Sequence, residues 1–165
     1  MSTDPETVFR ALATANVDYV VVGGVALILQ GSAYVTNDID LVYDRTRANA
    51  QRIAEALKPF HPRPRGLDAA LPFVFDAQTI LSSQILTLQT EIGDIDLLGE
   101  ISGVGTYAAV FTRSEAIIFK DLEIRTLTVD GLLDAKRSAN REKDKSGILE
   151  LEALQELRAA KDQNT

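Results

Sequence analysis

The feature that most restricts how this chain can fold is a carboxylate pattern that occurs twice. Asn37-Asp38-Ile39-Asp40-Leu41-Val42 returns in form as Gly93-Asp94-Ile95-Asp96-Leu97-Leu98. On a strand, residues two apart share a face. Each segment therefore sets two acids on one side and two large apolar residues on the other. Both can bury their apolar side in one core and present acids on the opposite surface. If the two strands are neighbours, three or four carboxylates converge. Such a cluster is hard to hold at neutral pH without a cation or a bound proton.

Other local signals supply the frame around these strands. Asp4 and Pro5 mark a helix start, and Val8, Phe9, Leu12 and Ala15 follow at helical spacing, with Asn16 as a left-handed stop. Tyr19 to Val22 reads as a buried strand, broken by Gly23-Gly24, with a short helix from Val25 to Gln30. Ile39 to Tyr43 is the next strand, and Arg47 to Leu57 is an amphipathic helix with Ala50, Ile53, Ala54 and Leu57 inward. The prolines of Phe60 to Gly66 predict a loop. Thr79 to Leu88 and Ile92 to Leu98 read as strands with a turn near Glu91 to Gly93, and Ile101 to Thr106 as a connection. A strand pair, Ala116 to Phe119 and Leu122 to Leu127, precedes two helices at about Val129 to Ala139 and Asp144 to Ala160. Helices at both chain ends around a sheet predict an α/β (α+β) fold in a single domain, residues 1–165 with a core at about 17–155.

Strand, Gly-Gly, short helix has a chemical reading. Glycines let a ligand approach the backbone closely, and a helix start offers free amides to phosphate. Alone, the pattern is weak and reads first as a tight strand-to-helix turn. The Asp38 and Asp40 pair adds a second element, because two acids side by side on a rigid strand suit a hard cation such as magnesium. The echo supplies a third acid, Asp96 by preference and Asp94 as the alternative. Two-metal phosphoryl transfer uses such a cluster.

Composition narrows the setting. The 165 residues include no cysteine, which excludes disulfides and thiolate metal sites. A net charge of -7 argues against broad electrostatic capture of nucleic acid, though a local basic patch would suffice for an RNA end. The start of the chain is acidic, unlike a secretory signal, and the longest apolar stretch, Tyr19 to Leu29, is too short to span a bilayer. The expectation is a cytoplasmic protein with no membrane partner.

Gly23-Gly24-Val25-Ala26, Gly31, Thr36 and Asp38-Ile39-Asp40-Leu41, with the later strand acid, resemble the DNA polymerase beta-like nucleotidyltransferase superfamily. They look most like its small bacterial branch, which includes abortive-infection-type toxin nucleotidyltransferases. Gly93 to Gly99, Gly103, Tyr107 and the Lys136, Arg141, Lys143, Asp144 stretch extend the resemblance over about residues 17 to 155. It implies a mixed β-sheet flanked by helices. It also implies an enzyme that moves a nucleoside monophosphate from an NTP such as ATP to an acceptor hydroxyl, releasing pyrophosphate. Gly23, Gly24 and Thr36 would hold the nucleotide, and Lys136 and Arg141 its outer phosphates. Asp38, Asp40 and Asp96 would bind two Mg2+ ions, and Asp96 would take the hydroxyl proton. The acceptor (RNA, protein or small molecule) is left open, as is a protein partner. Relatives often carry arginine two residues before the threonine, where this chain has Tyr34. The alternative is therefore a non-catalytic member, for example in a toxin–antitoxin pair.

The remaining charged residues carry blander readings. Lys143-Asp144-Lys145 and the glutamates that follow alternate in sign like a solvated helix face. Ile148, Leu151, Leu154 and Leu157 form an apolar line for packing or partner contact. His61 is a poor general base, and Arg63 and Arg65 read as loop charges or contacts for an acceptor.

Overall fold

The structure is a computed structural model and describes residues 3–164, apart from the side chain of Lys143. Helix α1 (Pro5–Thr14) begins where the sequence predicts, because the Asp4 carboxylate accepts from the Thr7 amide at 3.1 Å. Asn16 then turns the chain with φ +57°. Strand β1 (Tyr19–Val22) runs straight into helix α2 (Gly23–Leu29), which starts two residues earlier than the sequence suggests. Strand β2 (Asp38–Tyr43) and helix α3 (Arg47–Leu57) follow. Asn49 on α3 is fully buried and bonds Asp18 N and O and Asp44 O, which ties the start of β1 to the end of β2.

Three expectations need correction between residues 60 and 112. Arg63–Pro64 is not loop but a two-residue strand, β3, at a sheet edge, where a proline lacking an N–H is tolerated. Thr79 to Leu88 is not one strand. It divides into helix α4 (Ala77–Leu81) and strand β4 (Ile85–Thr90), because the Asp76 carboxylate caps the Thr79 amide at 2.8 Å and starts a helix. After strand β5 (Gly93–Leu98) the connection contains a small hairpin of β6 (Glu100–Ile101) and β7 (Gly105–Thr106). Helix α5 (Tyr107–Thr112) comes next; its aromatic and β-branched content conceals it from a reading by propensity.

Strands β8 (Ser114–Phe119) and β9 (Leu122–Leu127) form the expected hairpin through Lys120 and Asp121, both with positive φ. Helix α6 (Val129–Ala139) begins at a Thr128 cap and ends at a left-handed Asn140. Helix α7 (Lys145–Gln163) is last. Of its apolar line, Leu151 is buried and Leu157 exposed. No described helix is long and apolar enough to cross a membrane.

Seven strands form one mixed sheet in the order β3-β4-β5-β2-β1-β9-β8. β2 is antiparallel to β1 but parallel to β5. Ile39, Leu41, Ile95 and Leu97 are at most 1% exposed and join one core with Val8, Phe9, Leu12, Ile53 and Leu57. Period two then forces the acids between them onto the other side of the sheet.

Candidate active site

The β2–β5 register is in phase. Asp38 lies opposite Asp94 and Asp40 opposite Asp96. One carboxylate oxygen each from Asp38, Asp40 and Asp96 come within 4.8 Å of one another, and Asp94 stands outside that group. Asp40 lies beside Asp96 across the β2–β5 pair, and hydrogen bonding between the two carboxyls raises Asp40 and pulls Asp96 down. Burial, followed by the neighbouring charge of Asp96, pushes Asp40 up to about 7. Burial also raises Asp96, against the opposing pull of the Asp40 hydrogen bond and of Arg65.

The glycines shape the other wall. Gly23 has φ +67°, and a Cβ there would run into the Asp40 carboxylate, with Cγ at 3.0 Å. A Cβ on Gly24 would stand 2.8 Å from Thr36 Cβ and 2.9 Å from Tyr34 Cε1. Thr36 in turn braces Asp38, with Oγ1 3.3 Å from its carboxylate and 3.4 Å from its amide. The absent side chains thus let β1, β2 and the 34–36 segment close around the acids.

Two groups of charges escaped the sequence reading. Arg65, read as a loop charge or a contact for an acceptor, reaches across the sheet. Its guanidinium pairs with Asp96, lies 3.3 Å from Asp94 and 3.8 Å from Asp38. The edge strand β3 carries it there: the Arg65 amide bonds Thr87 O, and Thr87 lies opposite Asp96. No local pattern could reveal that, because it depends on pairing between distant strands. The second is Asp144, placed by the sequence in the stretch that carries the resemblance and also on an alternating, solvated helix surface; it is buried between Lys136 and Arg141. Burial raises its carboxyl, yet the bonds from Lys136 and Arg141 prevail and hold it below the ordinary range. Lys136 and Arg141 line a largely apolar cavity of about 290 Å³ together with Gly23 and Asp40. His61 pairs with Glu91 on the exposed surface at 2.7 Å.

The three acids form an all-oxygen donor set on two rigid neighbouring strands, which fits a divalent hard cation. Arg65 then acts as a built-in competitor. Arg65→Gln is expected to tighten Mn2+ binding at pH 8 by about tenfold, since a fixed positive charge within a few ångströms opposes a dication. Calorimetric titration of chelator-treated protein measures this. Unchanged or weaker binding would show that Arg65 supports the acids and does not compete.

No family model matches the chain, and no curated protein matches it in sequence. Among solved structures, it is similar to a protein from Thermotoga maritima described as a "putative nucleotidyltransferase". The TM-score is 0.53 at 15% identity, over 96% of this chain and 91% of that one. The chain has a nucleotidyltransferase fold. At that identity the likeness establishes the architecture alone.

Proposed function

We propose that the chain transfers a nucleoside monophosphate from an NTP to an acceptor hydroxyl at the Asp38, Asp40 and Asp96 cluster. The observation that carries this reading is the in-phase parallel pairing of the two Asp-x-Asp segments beside a cavity that also bears two cations. Asp38, Asp40 and Asp96 would hold Mg2+, with two ions expected. When bound, the metal neutralises the triphosphate and polarises the α-phosphate.

The chain's own groups divide the remaining work. Asp96 accepts the proton of the acceptor hydroxyl. That oxygen forms a bond to the α-phosphorus, the bond from the α-phosphorus to the bridging oxygen breaks, and pyrophosphate departs with the electron pair. Lys136 and Arg141 meet the outer phosphates. Gly23 and Gly24 admit the nucleotide to the backbone, and no side chain caps the amides of the α2 turn. Thr36 keeps Asp38 in place. The apolar part of the cavity, with Leu127, Leu132 and Ala135, suits the nucleoside. ATP as donor and a cytoplasmic setting belong to the same proposal, as does membership of the small bacterial toxin-like branch.

A second reading is a non-catalytic protein that keeps this fold for binding, for example within a toxin–antitoxin pair. Tyr34 in place of a cation and the Arg65 pairing with the acids favour it. One experiment separates the two. The chain is incubated with each α-labelled NTP, Mg2+ and separate RNA, protein and small-molecule acceptor fractions. Label transfer with stoichiometric pyrophosphate is the expected result. Absence of transfer, together with no calorimetric binding of a nonhydrolysable NTP, would overturn the enzyme.

A further inference from the structure

Lys136, Arg141 and Asp144 form a unit of their own outside the acid cluster. The Asp144 side chain is 5% exposed and accepts from Lys136 Nζ at 3.0 Å and from Arg141 Nε at 2.8 Å. Lys136 is itself only 15% exposed. It passes over Gly147 in the first turn of α7, where a Cβ would stand 3.1 Å from Lys136 Cε and 3.3 Å from Nζ. On its other side Nζ lies 6.0 Å from the centre of the Tyr34 ring, the same ring that packs on Gly24. The lysine is therefore held between α7 and Tyr34, next to the glycine turn.

We propose that Asp144 is a positioning residue that fixes Lys136 and Arg141 as a paired receptor for the outer phosphates of the nucleotide, with Tyr34 as its floor. The inference rests on the nucleotidyltransferase reading. An ammonium has three donors, so one bond to Asp144 leaves two for phosphate oxygens. Arg141 engages Asp144 through Nε, which leaves its Nη groups outside that bond on a side chain that is 55% exposed. Ion pairs without a ligand are found both buried and exposed, so what matters for these two cations is where they stand. Here both line the cavity that reaches Gly23 and Asp40. The arrangement also supplies a cation beside Tyr34, through a residue distant in sequence.

Two effects of removing Asp144 have opposite signs, which makes the test decisive. Loss of a negative charge by itself strengthens attraction for a polyanion. Loss of the fixed arrangement weakens it, because two long side chains must then be ordered on binding. The full chain is titrated with Mg2+ and inorganic tripolyphosphate, and separately with a nonhydrolysable NTP. Asp144→Asn is expected to weaken tripolyphosphate binding about tenfold and to raise KM with kcat within about twofold, as lost ground-state positioning requires. Gly147→Ala displaces Lys136 without changing charge, and alanine suits a helix interior better than glycine. Its expected result is about threefold weaker binding with an unfolding midpoint equal to or above that of the parent. Equal or tighter binding by a folded Asp144→Asn chain would overturn the inference. If that variant does not fold, unaltered binding by Gly147→Ala overturns it. A parent chain that binds tripolyphosphate but shows no affinity for any NTP would instead sink the nucleotidyltransferase reading.

Discussion

Asp40→Asn is expected to lower metal-dependent nucleotide transfer by roughly a thousandfold, since each decade of rate corresponds to about 1.4 kcal/mol and a metal-bound transition state draws several kcal/mol from its ligands. Asparagine matches protonated aspartate in shape and can still donate to Asp96, so the fold should persist while a metal ligand is lost. The same variant makes a prediction for the chelator-treated chain. Asp40 keeps its proton up to about 7 in the folded state, whereas an aspartate in an unfolded chain gives its proton up near 4. Between those values the native state binds more protons than the unfolded state. Stability therefore falls as pH rises through that window. The parent chain should lose roughly 4 kcal/mol between pH 4 and pH 8 that the asparagine variant retains, about three pKa units at about 1.4 kcal/mol each. Denaturant titrations of both chains at the two pH values measure the difference. Parallel pH profiles, or transfer that survives the substitution, would move the chemistry away from this cluster.

Gly23→Ala should damage stability and metal binding together. Its φ of +67° penalises any side chain by about 1 kcal/mol, and the new Cβ collides with the Asp40 carboxylate. The combined cost is expected to reach about 3 kcal/mol, with loss of metal binding because the carboxylate must move. Gly31 provides the control. It also has a positive φ, +104°, yet a Cβ there meets nothing within 4 Å. Gly31→Ala should show the backbone cost alone and bind metal normally. Equal midpoints and equal metal affinities for the two variants would mean that the close approach of Gly23 to Asp40 has no consequence.

Much of the frame is local and was therefore legible. Asp4, Thr46 and Thr128 each cap the helix they precede, and the helices they open match the apolar periodicity. The alternation in Asp38 to Leu41 and Asp94 to Leu97 gave the buried and open faces correctly. One failure was local, and the others came where distant parts decide. Ala77 to Leu81 is apolar enough for a strand, and one capping carboxylate turns it to helix. Pro64 reads as loop until an edge of the sheet accepts it. Asp144, between two lysines in sequence, looks solvated, and its burial depends on how α7 returns against α6.

The acid cluster shows the same division. Period two is a property of the strand itself, so the residues alone settle that each Asp-x-Asp segment shows both acids on one face. That the two segments lie side by side, parallel and in phase, is settled only in the folded sheet. A parallel pair needs a long crossover and carries no turn between its strands to set the register. A slip of one residue would turn one set of acids into the core. What prevents it is the joint burial of Ile39, Leu41, Ile95 and Leu97, and the same burial brings Asp38, Asp40 and Asp96 together and places Arg65 within their reach.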